Sequence, residues 1–129
     1  MKKGLALLCL GAILVCGGCK RETKDEKFMR DCKQFTEKEC PKEIISGVRL
    51  DSLCYDIESR TRSEYYTIEG NLDEGSVSTL HEIILGELKS SLQLKPYKDE
   101  GISFRYEYHS ATTGEKLLDL TFTQEDYGN

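Results

Sequence analysis

The chain has 129 residues, with 18 basic and 23 acidic side chains, a net charge of −5 and six cysteines. That length suits one modest domain, and the acidic balance argues against nucleic acid, whose phosphates need a basic footprint. No GxSxG, P-loop, HExxH or EF-hand spacing occurs in the sequence, which removes the chemistries those patterns carry.

Lys2 and Lys3 open the chain, Leu5 to Cys16 is an apolar run, and Gly17-Gly18 precede Cys19. Basic, apolar and small, in that order, is the pattern of a secretory signal. As a helix, twelve residues at about 1.5 Å each reach only ~18 Å, well short of the ~30 Å hydrocarbon core of a bilayer. Cys16-Gly17-Gly18-Cys19 resembles the processing box of bacterial lipoproteins, with Cys16 where that box usually has Leu. The resemblance implies that Cys19 is the lipid attachment site, carrying palmitate-like acyl chains, and that the membrane is a partner through them. It divides the chain into a signal peptide (1–18), a lipidated tether (19–24) and a single α+β domain (25–129). Loss of Lys2 and Lys3 takes the net charge from −5 to −7. Anionic lipid repels so acidic a domain, so the acyl chains must supply the attachment. Lys20, where an Asp would resemble an inner-membrane retention signal, favours the outer membrane of a Gram-negative envelope.

A helix is expected after the tether. Thr23 with Glu26 three residues on reads as a capping box, Phe28, Cys32 and Phe35 share one helical face, and Pro41 disfavours helix at Cys40. From Val48 the period changes to two. Strands are expected at about 47–57 and 61–69, with Val48, Leu50 and Cys54 facing one way and Leu53, Tyr55 and Ile57 the other. Gly70 to Ser76 reads as a loop, and a second helix at about 77–92 carries the stripe Val77, Leu80, Ile84 and Leu88. Pro96 and Gly101 bracket another loop. A third strand alternates Ile102, Phe104, Tyr106 and Tyr108 with Ser103, Arg105, Glu107 and His109. A turn at Thr112 to Glu115 leads to a fourth strand through Leu118, Leu120 and Phe122, and Gln124 to Asn129 reads as a polar tail. This order predicts an α+β fold of the type helix-hairpin-helix-hairpin (αββαββ). It would have a four-stranded antiparallel sheet, two helices on one face, and the other face partly solvated.

Three cysteines remain after the signal and the lipid site: Cys32, Cys40 and Cys54. An oxidising compartment would allow one disulfide and one free thiol. Cys54 lies about seven residues into its strand, or ~23 Å, and Cys32 is eight residues back from Cys40 on the helix, or ~12 Å. If the helix folds back over the strand, Cys32–Cys54 is the expected bridge, with Cys40–Cys54 as the rival if the linker is slack. No cysteine or histidine spacing matches a zinc site, so no metal and no cofactor is expected.

Arg49-Leu50-Asp51-Ser52, Gly101-Ile102-Ser103-Phe104-Arg105-Tyr106-Glu107-Tyr108 and Thr121-Phe122-Thr123-Gln124-Glu125-Asp126-Tyr127 occur in that order. Together they resemble small uncharacterised bacterial envelope proteins over about residues 40–127. Arg62 and Glu64 depart from the apolar second strand of that group. The resemblance implies a fold and a compartment, and no activity.

Two functional classes follow. The first is an envelope binding module for a protein or polymer partner, with Arg105, Glu107 and His109 on the sheet face away from the helices as candidate contact residues. Asp119 and Thr121 lie across the hairpin, and Tyr55, Tyr65 and Tyr66 could supply aromatic contacts. The same face could equally be a solvated one. The second class is a small carboxylate-dependent hydrolase acting on an envelope glycan, which would need two acids about 5–10 Å apart in a cleft. No catalytic residue is assigned. Asp51 could be a buried acid with a raised pKa, a backbone cap or a solvent-facing group. His81 reads as a helix-surface residue.

Overall fold

The computed structural model describes residues 21–128. Helix α1 (Lys24–Glu39) starts where the sequence predicts: the Thr23 hydroxyl accepts from the Glu26 backbone N–H at 3.0 Å, and the Glu26 carboxylate accepts from the Thr23 N–H at 2.9 Å. Two backbone donors at the helix start are thereby satisfied. The helix ends at Glu39, with Cys40 extended ahead of Pro41, as the restriction on a residue before proline requires.

Five strands follow: β1 (Lys42–Ile45), β2 (Val48–Asp56), β3 (Thr61–Ile68), β4 (Ser103–Ser110) and β5 (Lys116–Phe122). Helix α2 (Glu74–Ser90) and the short α3 (Lys95–Asp99) lie between β3 and β4, and α4 (Gln124–Tyr127) follows β5. The sheet order is β1-β2-β3-β4-β5. Three pairings are antiparallel, and β3 pairs with β4 in parallel.

This corrects the expected four-stranded antiparallel sheet of the αββαββ type. The sheet has five strands and is mixed, because the segment between β3 and β4 carries α2 and α3 across one face and returns in the same direction. A parallel pair needs a connection of that length, usually helical. Hairpins do form at β1–β2, β2–β3 and β4–β5, and the α+β character stands. The strand missed in the sequence, β1, reads Lys-Glu-Ile-Ile and is exposed throughout, so it has no alternation to reveal it. The expected loop at Pro96 is helix α3, and the expected polar tail contains α4, which buries Tyr127.

Both long helices sit on one face of the sheet. Phe28 and Cys32 of α1 pack with Leu53, Tyr55, Tyr97 and Ile102. Ile84 and Leu88 of α2 pack with Phe104, Tyr106, Tyr108, Phe122 and Tyr127. Tyr97 joins the two clusters: its ring stacks on Phe28 at 4.2 Å between centroids and meets Phe104 edge-on at 6.2 Å.

A bulge reorients half of β2. Leu50 pairs with Tyr66 and Ser52 with Tyr65, so Asp51 is the extra residue. An inserted residue shifts the two-residue alternation by one. Leu50 and Tyr55 therefore both face the helices and are buried, whereas Cys54 is exposed. This corrects the expected parity, and with it the Cys32–Cys54 disulfide. Cys32, Cys40 and Cys54 are all free: Cys32 is buried under α1, and Cys54 turns away from the helix layer.

The signal segment and the first two residues of the tether, Cys19 and Lys20, lie outside the described residues. Among the described residues, no helix is long and apolar enough to cross a membrane.

Candidate functional site

The sheet face without helices is built from the outward positions of β2 to β5. In register across it stand Cys54, Ser63, Arg105 and Thr121 in one row, Ser52, Tyr65, Glu107 and Asp119 in the next, and Arg49, Thr67, His109 and Lys116 beyond. The structure brings Arg105, Glu107 and His109 together. The Arg105 fork donates to both carboxylate oxygens of Asp119, from Nε at 3.0 Å and from Nη2 at 2.8 Å. The same Nη2 lies 2.6 Å from Glu107 Oε2, and His109 Nε2 lies 2.8 Å from Glu107 Oε1. Lys116 Nζ closes the far side at 3.1 Å from Asp119. Diagonal cross-strand neighbours lie within reach of such long side chains.

The electrostatics follow from these contacts. The Arg105 hydrogen bonds hold the Asp119 carboxyl down to about 2, and the same partnership raises the Arg105 guanidinium. His109 is raised first by its bond to Glu107 and then by the Gly114 carbonyl, 3.3 Å from Nδ1. Both ring nitrogens thus face acceptors, an arrangement that suits the doubly protonated imidazolium. Asp51 stands at the bulge, bonded to Arg49 Nε at 2.7 Å and to the Thr67 hydroxyl at 2.5 Å. It is half-buried and partnered by these two side chains. His81 is an exposed helix residue whose ring lies 4.9 Å from that of Phe122.

The helix-bearing face holds a polar feature that sequence reasoning noted only as a departure from an apolar strand. Arg62 and Glu64, two apart on β3, both point beneath the helices and pair through Nη1 and Oε2. Glu64 Oε1 also accepts from the Tyr66 hydroxyl. Arg62 lies over the Tyr97 ring, with Cζ 5.2 Å from its centroid, and its Nε is buried with no hydrogen-bond partner among the described residues. Tyr66 stacks on Tyr108 at 4.8 Å. Burial first, and then Glu64, pushes the Tyr66, Tyr106 and Tyr108 phenols upward. Tyr55, expected as a possible contact residue, is buried and donates its hydroxyl to Asp25 at 2.6 Å. Tyr65 lies on the open face, where aromatic contact is available.

Beside α2 is a cleft of about 360 Å³, lined on the sheet by Glu64, Tyr66 and Tyr106 and on the helix side by Ile84, Glu87 and Leu94. Glu64 and Glu87 thus both line one cavity, whereas a glycan hydrolase needs two acids at a set separation. Both oxygens of Glu64 are already engaged, by Arg62 and by Tyr66, so this acid serves as an anchor for its neighbours. No cluster of metal-ligating side chains occurs among the described residues.

Fold and site together define a small α+β domain with one helix-covered face and one open face carrying a fixed charge network. The chain belongs to the family of the domain of unknown function DUF8479, whose model matches residues 23–118. No curated protein matches it in sequence. Solved structures share the fold. EpsS, a pilotin from the type 2 secretion system of Vibrio vulnificus, superposes with a TM-score of 0.65 at 8% identity, covering 81% of this chain and 92% of that one. A candidate secreted protein of Pseudomonas aeruginosa gives a TM-score of 0.62 at 9% identity, with 83% and 98% covered. AspS, the type II secretion system pilotin of Vibrio cholerae, gives 0.56 at 14% identity, with 76% and 86% covered. At such identities the likeness is one of fold.

Proposed function

We propose that this chain is a lipid-anchored cell-envelope protein whose folded domain binds a protein partner. The observation that carries the reading is the fold shared with the two pilotins, matched over 92% and 86% of their chains. The N-terminal sequence supports the compartment: Cys19 carries the lipid, and Lys20 after it suits the outer membrane. The RLDS and G-I-x-F-x-Y-x-Y segments, which resemble those of small envelope proteins, point the same way.

The state of the acids supports binding over hydrolysis. Glu64 is held by Arg62 and Tyr66, Glu107 by Arg105 and His109, and Asp119 by Arg105 and Lys116. Carboxylates held in ion pairs shape a surface; a general acid needs a raised pKa and a free proton. Arg105, Glu107 and His109 form the proposed contact on the open face. Because the Arg105 fork is already seated on Asp119, these side chains are ordered before a partner arrives, which lowers the cost of association.

The test is capture from detergent-solubilised membranes with the lipidated chain and an Arg105→Ala/His109→Ala variant matched in thermal stability. The wild type should retain a discrete envelope protein that the variant retains weakly. If the wild type captures nothing beyond what the variant captures, this face is not the site.

A further inference from the structure

The cleft beside α2 has a chemistry of its own. Its wall is apolar at Ile84 and Leu94 and aromatic at Tyr66 and Tyr106, and it contains two carboxylates, Glu64 and Glu87, with no lysine or arginine in the lining. Arg62 offsets Glu64 from beneath. Glu87, an exposed α2 residue that lines the cleft, has no ion-pair partner among the described residues. The Tyr106 hydroxyl makes no hydrogen bond among the described residues, so its oxygen is available as an acceptor. The cavity thus combines apolar side chains at Ile84, Leu88 and Leu94, the two tyrosines, Ser90 and Ser91, and one carboxylate without an ion-pair partner. Such a site complements a long side chain with an aliphatic stem and a cationic head, as carboxylate-lined pockets select cations through complementary potential.

We propose that this cleft receives an arginine or lysine side chain presented by an apolar segment of a partner protein, its stem against Ile84 and Leu94 and its head between Glu87 and the tyrosine rings. This rests on the protein-binding reading but places a contact on the opposite side of the sheet from Arg105. The net negative domain favours the encounter with a basic segment.

The experiment follows backbone amide shifts of the isotopically labelled lipidated chain in detergent micelles during titration with two blocked pentapeptides, Ala-Leu-Arg-Leu-Ala and the same sequence with citrulline for arginine. Shifts should concentrate at Glu64, Tyr66, Tyr106 and Glu87. The citrulline peptide should bind at least about fivefold more weakly, as should the arginine peptide to a Glu87→Gln variant, which is the range for a partly exposed charge-assisted contact. Equal binding of the two peptides would make the cleft merely apolar and overturn the inference. So would shifts confined to open-face residues such as Thr121, or no shifts at millimolar peptide. Photo-crosslinking in cells from Leu94 and Thr121 separates this from the broader reading. Protein adducts from Thr121 alone would remove the cleft and leave the binding function; adducts from neither would remove both.

Discussion

Arg62 and Glu64 form an ion pair beneath the helices of the sheet's covered face, with only 10% and 14% of their side chains exposed. Such a pair is costly to desolvate, and breaking it is costlier than removing it whole. Arg62→Ala should therefore destabilise the domain by about 3–5 kcal/mol, whereas Arg62→Met/Glu64→Leu, which leaves the Tyr66 hydroxyl without its acceptor, should cost only about 1–2 kcal/mol. Chemical denaturation of the single and double variants measures the difference. A double variant as unstable as the single one would show that the pair is not coupled.

The open-face network makes stability depend on pH in a defined direction. His109 has a raised pKa in the folded state through Glu107 and the Gly114 carbonyl, opposed by desolvation and, less, by Lys116. Its contribution is fully present below the ordinary value of 6.5 and is lost as pH rises through the raised one. Asp119 has the opposite sign: its contribution is present above the ordinary 3.8 and is lost as pH falls toward about 2. The melting temperature should rise from pH 8 to pH 6, with that gain absent in His109→Gln. Below pH 4, Asp119→Asn should show a shallower decline than the wild type. A wild-type melting temperature that falls between pH 8 and 6 by more than that of His109→Gln would contradict the sign for His109.

Tyr127 shows that the C-terminal segment belongs to the fold. Its ring meets Phe104 edge-on at 5.4 Å, and its hydroxyl donates to the Ile102 carbonyl at 2.7 Å. Tyr127→Ala should cost about 3–5 kcal/mol, as for other buried aromatics, and Tyr127→Phe about 1 kcal/mol for the lost hydrogen bond. Equilibrium unfolding checks both; a neutral Tyr127→Ala would detach α4 from the core.

The three thiols should react in the order of their exposure. Cys54 is exposed, Cys40 half-buried and Cys32 buried. Burial raises the Cys32 thiol, whose Sγ lies 3.6 Å from the Tyr97 hydroxyl. Alkylation of the native domain followed by peptide mapping should label Cys54 first and Cys32 last, since the thiolate is the reactive form. All three should be labelled after denaturation without reductant. A Cys32–Cys54 peptide pair recovered from the native domain would contradict this.

Local signals were readable in the sequence where one residue pattern has one structural meaning. The Thr23–Glu26 box marked the start of α1, and the alternation from Ile102 to Tyr108 marked β4. Arg105, Glu107 and His109 were placed together because period-two spacing puts them on one face. The direction in which β3 and β4 pair was not readable, because alternation on a strand is the same for parallel and antiparallel partners. The intervening helix was the available signal for a crossover. The bulge at Asp51 was hidden as well, since one extra residue leaves hydrophobic composition unchanged while reversing the parity that placed Cys54. The cleft needed residues far apart in sequence, Glu64 and Glu87 among them, that only the β3–β4 crossover brings together.

Binding of an envelope protein by the folded domain can be tested in the cell. The most direct measurement is photo-crosslinking in intact cells from Thr121 on the open face and Leu94 in the cleft of the lipidated chain. Discrete adducts with one and the same envelope protein are expected, reduced from Thr121 by Arg105→Ala/His109→Ala and from Leu94 by Glu87→Gln. No protein adduct from either position, with the anchored chain at normal abundance, would contradict such binding.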